Sequence, residues 1–171
     1  MIDVDPMDVP DAEAEWAAWE ARCRVSHAEH FASLRNPRVA FHRPAKPQAL
    51  LRVALATSGG LYVHGMAPFD LGSHAGDDSV RWIPGDVDTR NLRFAHDHYD
   101  HTDPDRDPNC IFPLDRLREL AAEGLIGGVA GWHVGFMGWI PDPRRFARER
   151  VPEITARLLK DGVDAVVLSP G

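Results

Sequence analysis

Cysteine is scarce in this chain: Cys23 and Cys110 are the only two among 171 residues, and they stand far apart. Without a CxxC pair, a zinc ribbon and a disulfide scaffold are both excluded. Each cysteine is read as a small buried hydrophobe. Long apolar runs are also missing. None approaches the ~20 residues a membrane-spanning helix needs, and the opening stretch MIDVDPMDVPDAEAEW is acidic where a secretion signal is basic and then apolar. The expected location is the cytoplasm, with no membrane partner. Positive charge is short as well. A formal net charge of −7 argues against a nucleic-acid backbone as partner, because such binding relies on clustered Lys and Arg. Arg144, Arg145, Arg148 and Arg150 do cluster, but Glu149 and Glu153 interleave with them, as on a solvated helix face. A nucleotide fingerprint is absent too: neither GxGxxG nor a P-loop lysine accompanies Ser58-Gly59-Gly60.

What is present has the proportions of a globular protein, with 44% apolar and 26% charged residues. The length suits one α/β domain over residues 1–171, divided into an N-terminal helix (11–35), a connector (36–49) and a core (50–171). The first helix is indicated by Trp16, Trp19, Cys23, His27, His30, Phe31 and Leu34, which recur at helical spacing; His27 and His30 are read as packing residues on that stripe. Four short apolar runs then read as strands: 51–56, 92–95, 126–130 and 164–168. Between them lie a helix over 113–123, stopped by Gly124, and a second after Asp142-Pro143, kinked or split by Pro152 and stopped by Gly162. Strands alternating with helices predict a mainly parallel open sheet of about four strands with flanking helices.

Ligands of such sheets bind beyond the carboxyl ends of the strands. Three of the four predicted ends carry histidine: His64, the turn His96-Asp97-His98-Tyr99-Asp100-His101, and His133. Residues two apart on an extended segment point the same way, so His96 and His98 can share one ligand, with Asp100 and His101 in reach as the chain turns. His96, His98, His101 and Asp100 are therefore the candidate ligands of a divalent transition metal such as zinc, iron or manganese. His98, Asp100 and His133 are the candidates for acid/base catalysis, and His64, Tyr99 and Ser58 for binding a small-molecule substrate. Asp103, Asp105 and Asp107 read as solvated turn residues.

Taken alone, His96 to His101 satisfies the HxHxDH pattern and resembles metallo-β-lactamase-type hydrolases, in which a bound metal activates water. That fold implies further ligands downstream, where His133 is the only remaining histidine.

A second likeness spans residues from about 50 to the end. It is carried by Arg52-Val53-Ala54-Leu55 with Thr57 and Gly60-Leu61, Pro68-Phe69-Asp70-Leu71-Gly72, Gly76-Asp77-Asp78-Ser79, Arg81 and Ile83-Pro84. It continues through the histidine turn, Asp107 with Asn109, Phe112-Pro113-Leu114-Asp115-Arg116-Leu117, Gly127, His133, Phe136-Met137-Gly138 and Gly162-Val163-Asp164-Ala165-Val166. This ordered series resembles the selenoprotein B family of glycine, sarcosine, betaine and D-proline reductases. The resemblance implies a reductase component that cleaves a carbon–nitrogen bond of a small amine or amino-acid substrate by means of a selenol or thiol. It also implies that the nucleophile follows the strand matching 164–168.

The sequence ends at Gly171, on the threshold of that segment, and neither Cys23 nor Cys110 stands at the matching position. One expectation is a selenocysteine codon after Gly171 that was read as a stop; the other is a short form that keeps the His/Asp site. Sequencing the DNA beyond Gly171 separates the two. A chain closing on a buried parallel strand further suggests a partner subunit or homo-oligomer that completes the sheet. Three functions follow in order: a reductase-like oxidoreductase subunit, a metal-dependent hydrolase, and a non-catalytic metal- or partner-binding module.

Overall fold

A computed structural model describes residues 12–26 and 42–171. The sheet is organised around β1 (Arg52–Thr57), whose residues from Val53 onward are buried. Its alternating side chains go to opposite faces. Val53 and Leu55 join Phe112, Leu114 and Leu117 on one side, while Ala54 and Ala56 join Val134 and Leu158 on the other. Both faces are thus covered by helices, which is why the strand reads as a continuous apolar run.

Around β1 lie β5 (Gly128–Val129), β6 (Trp132–Phe136) and β7 (Ala165–Ser169), all parallel to it, and β3 (Val80–Pro84) runs antiparallel along β6. β5 and β6 pair with successive halves of β1 on the same side, as one strand interrupted at Ala130-Gly131. The result is the expected α/β fold with a mainly parallel sheet of about four strand positions.

The positions of some strands differ from expectation. The run 92–95 forms β4 (Leu92–Phe94), which leaves the main sheet and pairs antiparallel with β2 (Leu61–Val63). β2, β3 and β6 had no clear signature, being short or mixing Gly, His and Trp among their apolar residues. The β2–β4 ribbon lies tightly on β6: a Cβ on Gly135 would sit 2.1 Å from the Leu61 carbonyl oxygen. Only glycine permits that approach.

Among the helices, α1 (Ala12–Ser26) spans the described part of the predicted 11–35, and its tryptophans Trp16 and Trp19 are exposed and touch each other. His27, His30, Phe31 and Leu34 lie outside the described residues. A five-residue helix α2 (Thr102–Arg106) follows the histidine turn. α3 (Leu114–Ala122) buries Leu114 and Leu117 and ends before Gly124, whose φ of 72° reverses the chain as predicted. The last helix is split: a π-helical turn over Phe146–Arg150 leads into α4 (Val151–Lys160), with Pro152 in its first turn. Proline has no N–H for the regular ladder, which accounts for the widened turn before it. Neither cysteine is buried: Cys23 is half-buried, and Cys110 is exposed with its thiol donating to the Asp107 carbonyl at 2.9 Å. No described helix is long and apolar enough to cross a membrane.

Candidate functional site

Four chain segments meet beyond the carboxyl ends of β1, β4, β6 and β7, and backbone hydrogen bonds hold them there. The Gly60 N–H donates to the Phe136 carbonyl at 3.0 Å, and the Ala95 N–H donates to the Gly60 carbonyl at 3.0 Å. The Ser58 N–H donates to the Ser169 carbonyl at 3.2 Å, and the Gly171 N–H reaches the Ser58 hydroxyl at 3.3 Å. Tyr99 closes the turn by donating its hydroxyl to the Gly59 carbonyl at 3.0 Å. Burial, with Asp105 nearby, pushes the Tyr99 phenol up to about 12, so it remains a donor at neutral pH. Tyr99→Phe is expected to cost about 1 kcal/mol through that one bond, read as a lower urea midpoint at unchanged slope.

His96 is buried, 8% exposed, with its ring 4.7 Å from that of Tyr99. Its Nδ1 accepts the backbone N–H of His98 at 3.1 Å, which places the neutral ring's proton on Nε2. Burial, then the neighbouring His98, lowers the His96 pKa, so the ring is neutral near pH 7. His98 carries its own carboxylate partner: its Nδ1 lies 2.6 Å from Asp97 Oδ1. A carboxylate on Nδ1 fixes the tautomer and leaves Nε2 free as a base or metal ligand. The opposite restraint on His98 is Trp139, stacked at 4.6 Å between ring centroids and 18° between planes. One ligand atom from each of His96, Asp97 and His98 lies within 4.8 Å of the others. Two imidazoles and a carboxylate are donor types suited to zinc, iron or manganese, and for His96 to bind such an ion its ring would have to give up the His98 N–H.

The remaining candidates have other partners. His101 Nδ1 lies 2.7 Å from Asp105 Oδ2. Asp100 accepts both the Thr102 N–H at 3.0 Å and its hydroxyl at 2.6 Å, and these bonds lower the Asp100 pKa. The HxHxDH residues therefore do not converge as one set. His64 is exposed at the end of β2, its N–H donating to the Asn91 carbonyl at 2.7 Å. His133 was expected in a loop after a strand, whereas it lies within β6, fully buried, its ring 5.7 Å from that of Phe112. Its Nδ1 accepts the Leu55 N–H at 2.9 Å. That N–H faces the interruption between β5 and β6, so the imidazole replaces the missing backbone acceptor.

Two residues of the cluster carried no expectation from sequence. Alternation on an extended segment points Asp97 away from its neighbours, and the turn cancels that rule. Trp139 becomes visible only once β6 is known to be a strand.

The profile of the glycine/sarcosine/betaine reductase selenoprotein B family matches residues 28–170. The chain belongs to this family. Family similarity thus reaches back beyond residue 50, to residue 28. Among its relatives, the D-proline reductase subunit gamma of Acetoanaerobium sticklandii is 42% identical over 121 residues, covering 71% of this chain and 49% of the relative. The glycine reductase complex component B subunit gamma of Symbiobacterium thermophilum is 32% identical over 138 residues, covering 77% and 31%. The sarcosine reductase complex component B subunit beta of Peptoclostridium acidaminophilum is 30% identical over 129 residues, covering 72% and 29%. The chain spans about half the length of the first relative and about a third or less of the other two. No solved structure matches it.

Proposed function

We propose that this chain supplies the histidine-lined wall of a reductase-component pocket in which a carbon–nitrogen bond of a small amine or amino acid is cleaved reductively. The observation that carries the reading is the packing of the chain after β7 against Gly59 and Tyr99, whose ring lies 4.7 Å from that of His96. Gly171 packs so closely that a Cβ there would lie 2.4 Å from the Gly59 Cα and 3.0 Å from the Tyr99 ring. The family resemblance implies a redox selenol or thiol directly after the strand that β7 matches.

Net cleavage replaces C–N by C–H and N–H and consumes two electrons and two protons. A selenol or thiol and a second thiol beside it would supply the two electrons, ending as a selenenyl sulfide or disulfide, and the chain's own residues bind the substrate and manage protons. His98 Nε2, backed by Asp97, takes or gives a proton, or binds a divalent metal together with His96. Such a metal would supply Lewis-acid polarisation of the substrate's carboxylate or amine. The Tyr99 phenol and the Ser58 hydroxyl line the substrate side. Asp100 and His101 anchor the turn to α2, His133 supports β1 from the core, and His64 lies at the opposite end of the β2–β4 ribbon, beside Asn91, away from this wall. The relatives are named as subunits of reductases or reductase complexes, which supports a partner subunit for this chain as well. The exposed apolar edge at Val166, Val167 and Leu168, the last 75% exposed, is the surface where that subunit would extend the sheet.

The reading is tested by titrating D-proline, glycine, sarcosine and betaine separately into the chain while following the histidine ring protons by NMR. At least one of the four is expected to shift His96 and His98 and leave His74 unchanged, with His98→Ala weakening binding about tenfold or more. No shift of His96 or His98 with any of the four at saturating concentration contradicts the proposal.

A further inference from the structure

We infer that Trp139 is a positioning residue that holds the His98 imidazole in one orientation with Nε2 free, and that the loop over residues 68–79 braces Trp139 from behind. The inference rests on the role proposed above for His98.

His98 is exposed, its side chain 42% accessible, and an exposed imidazole ordinarily samples several rotamers. Here it is restrained in two directions. Asp97 holds its Nδ1 edge, and the Trp139 indole covers one face nearly in parallel. Rotating the ring breaks the 2.6 Å Asp97 contact and the stack together, so the two restraints define where Nε2 points.

Trp139 needs support to do this, because it follows the end of β6. Its side chain packs on the cluster of Phe69, Ala95 and Met137. Phe69 is in turn covered by the Arg81 guanidinium, 4.2 Å from the ring centroid, which donates to the carbonyls of Ala67 at 2.9 Å and Pro68 at 3.0 Å. Asp77 closes the loop by accepting the N–H groups of Asp70 and Ser79, each at 2.9 Å, with Arg81 3.7 Å away. The loop then meets the tryptophan's backbone directly at Gly76: φ is +74°, and a Cβ there would lie 2.7 Å from the Trp139 carbonyl oxygen and 3.0 Å from Pro141 Cδ. Pro68-Phe69, Gly76-Asp77, Ser79 and Arg81, which sequence reading places in the family series without a role, therefore act on the site through Trp139.

The test is a long-range nitrogen–proton NMR spectrum of the full chain at a pH where imidazole is neutral, compared with Trp139→Phe, Trp139→Leu and Gly76→Ala. In the wild type, His98 is expected as a single tautomer protonated on Nδ1, with ring protons displaced upfield by the indole. Trp139→Phe keeps this signature. Trp139→Leu and Gly76→Ala lose the displacement and mix the tautomers. Zinc affinity, measured in parallel by calorimetry, is expected to fall about tenfold in Trp139→Leu and much less in Trp139→Phe. A wild-type His98 with averaged tautomers and undisplaced protons overturns the inference without any variant, as does a wild-type His98 spectrum in Trp139→Leu. If the wild type binds no zinc while its His98 signature still depends on Trp139, the positioning role stands and the metal reading alone falls.

Discussion

Gly60→Ala is expected to destabilise the protein by about 3 kcal/mol or more, because positive-φ strain adds to a steric overlap. Gly60 has φ +69°, and a Cβ there would meet the Ala95 carbonyl oxygen at 2.2 Å and its carbon at 2.9 Å. Neither neighbour is a flexible side-chain end, so the overlap is relieved only by moving the backbone that leads into His96. The same residue bonds to Phe136 through its N–H and to Ala95 through its carbonyl, and the substitution thereby loosens the junction of three strand ends. Gly65→Ala is the control: its φ is +92°, but nothing lies within 4 Å of the added carbon, so only the conformational cost of about 1 kcal/mol applies. Urea unfolding of the two variants separates them. Equal losses would mean that the backbone approach at Gly60 does not hold the turn.

Acid should weaken the fold through His133 well before the carboxylates titrate. Burial lowers the His133 pKa to about 4, against an ordinary value of 6.5. Above 6.5 the imidazole is neutral in both the folded and unfolded states and contributes no pH dependence. Between 6.5 and 4 the unfolded chain takes up a proton that the folded chain refuses, so stability falls with pH and levels off below 4. The full loss is about 3 kcal/mol, following the shift in pKa. His133→Leu removes the titrating group and should flatten this dependence. It also leaves the Leu55 N–H without its acceptor, so the variant should be about 1–3 kcal/mol less stable at neutral pH. Urea midpoints across the pH series give both numbers. An unchanged pH slope in His133→Leu would show that another group carries the acid sensitivity.

The contrast between His133 and His96 shows what a linear reading can and cannot reach. Both follow or adjoin apolar runs, and composition does not separate them. One fills a break in a parallel ladder, a role defined by the register of β5, β6 and β1. The other enters a turn held by glycine contacts from three strands. β1, α3 with its Gly124 stop and the Pro152 break were legible because local periodicity and turn chemistry decide them. β6 was not, since WHVGF owes its strand conformation to pairing with β1 and β3. His96 and His98 were legible as a pair from their spacing, whereas Asp97 and Trp139 depended on the turn and on β6.

The proposed capacity of His98 Nε2, with Asp97 beside its Nδ1, to hold a divalent transition metal together with His96 is tested most directly by elemental analysis of the chain purified without a histidine tag. About one equivalent of zinc, iron or manganese is predicted, falling below about one-tenth in His98→Ala. Less than about one-tenth equivalent in the wild type, unchanged by His98→Ala, would contradict it.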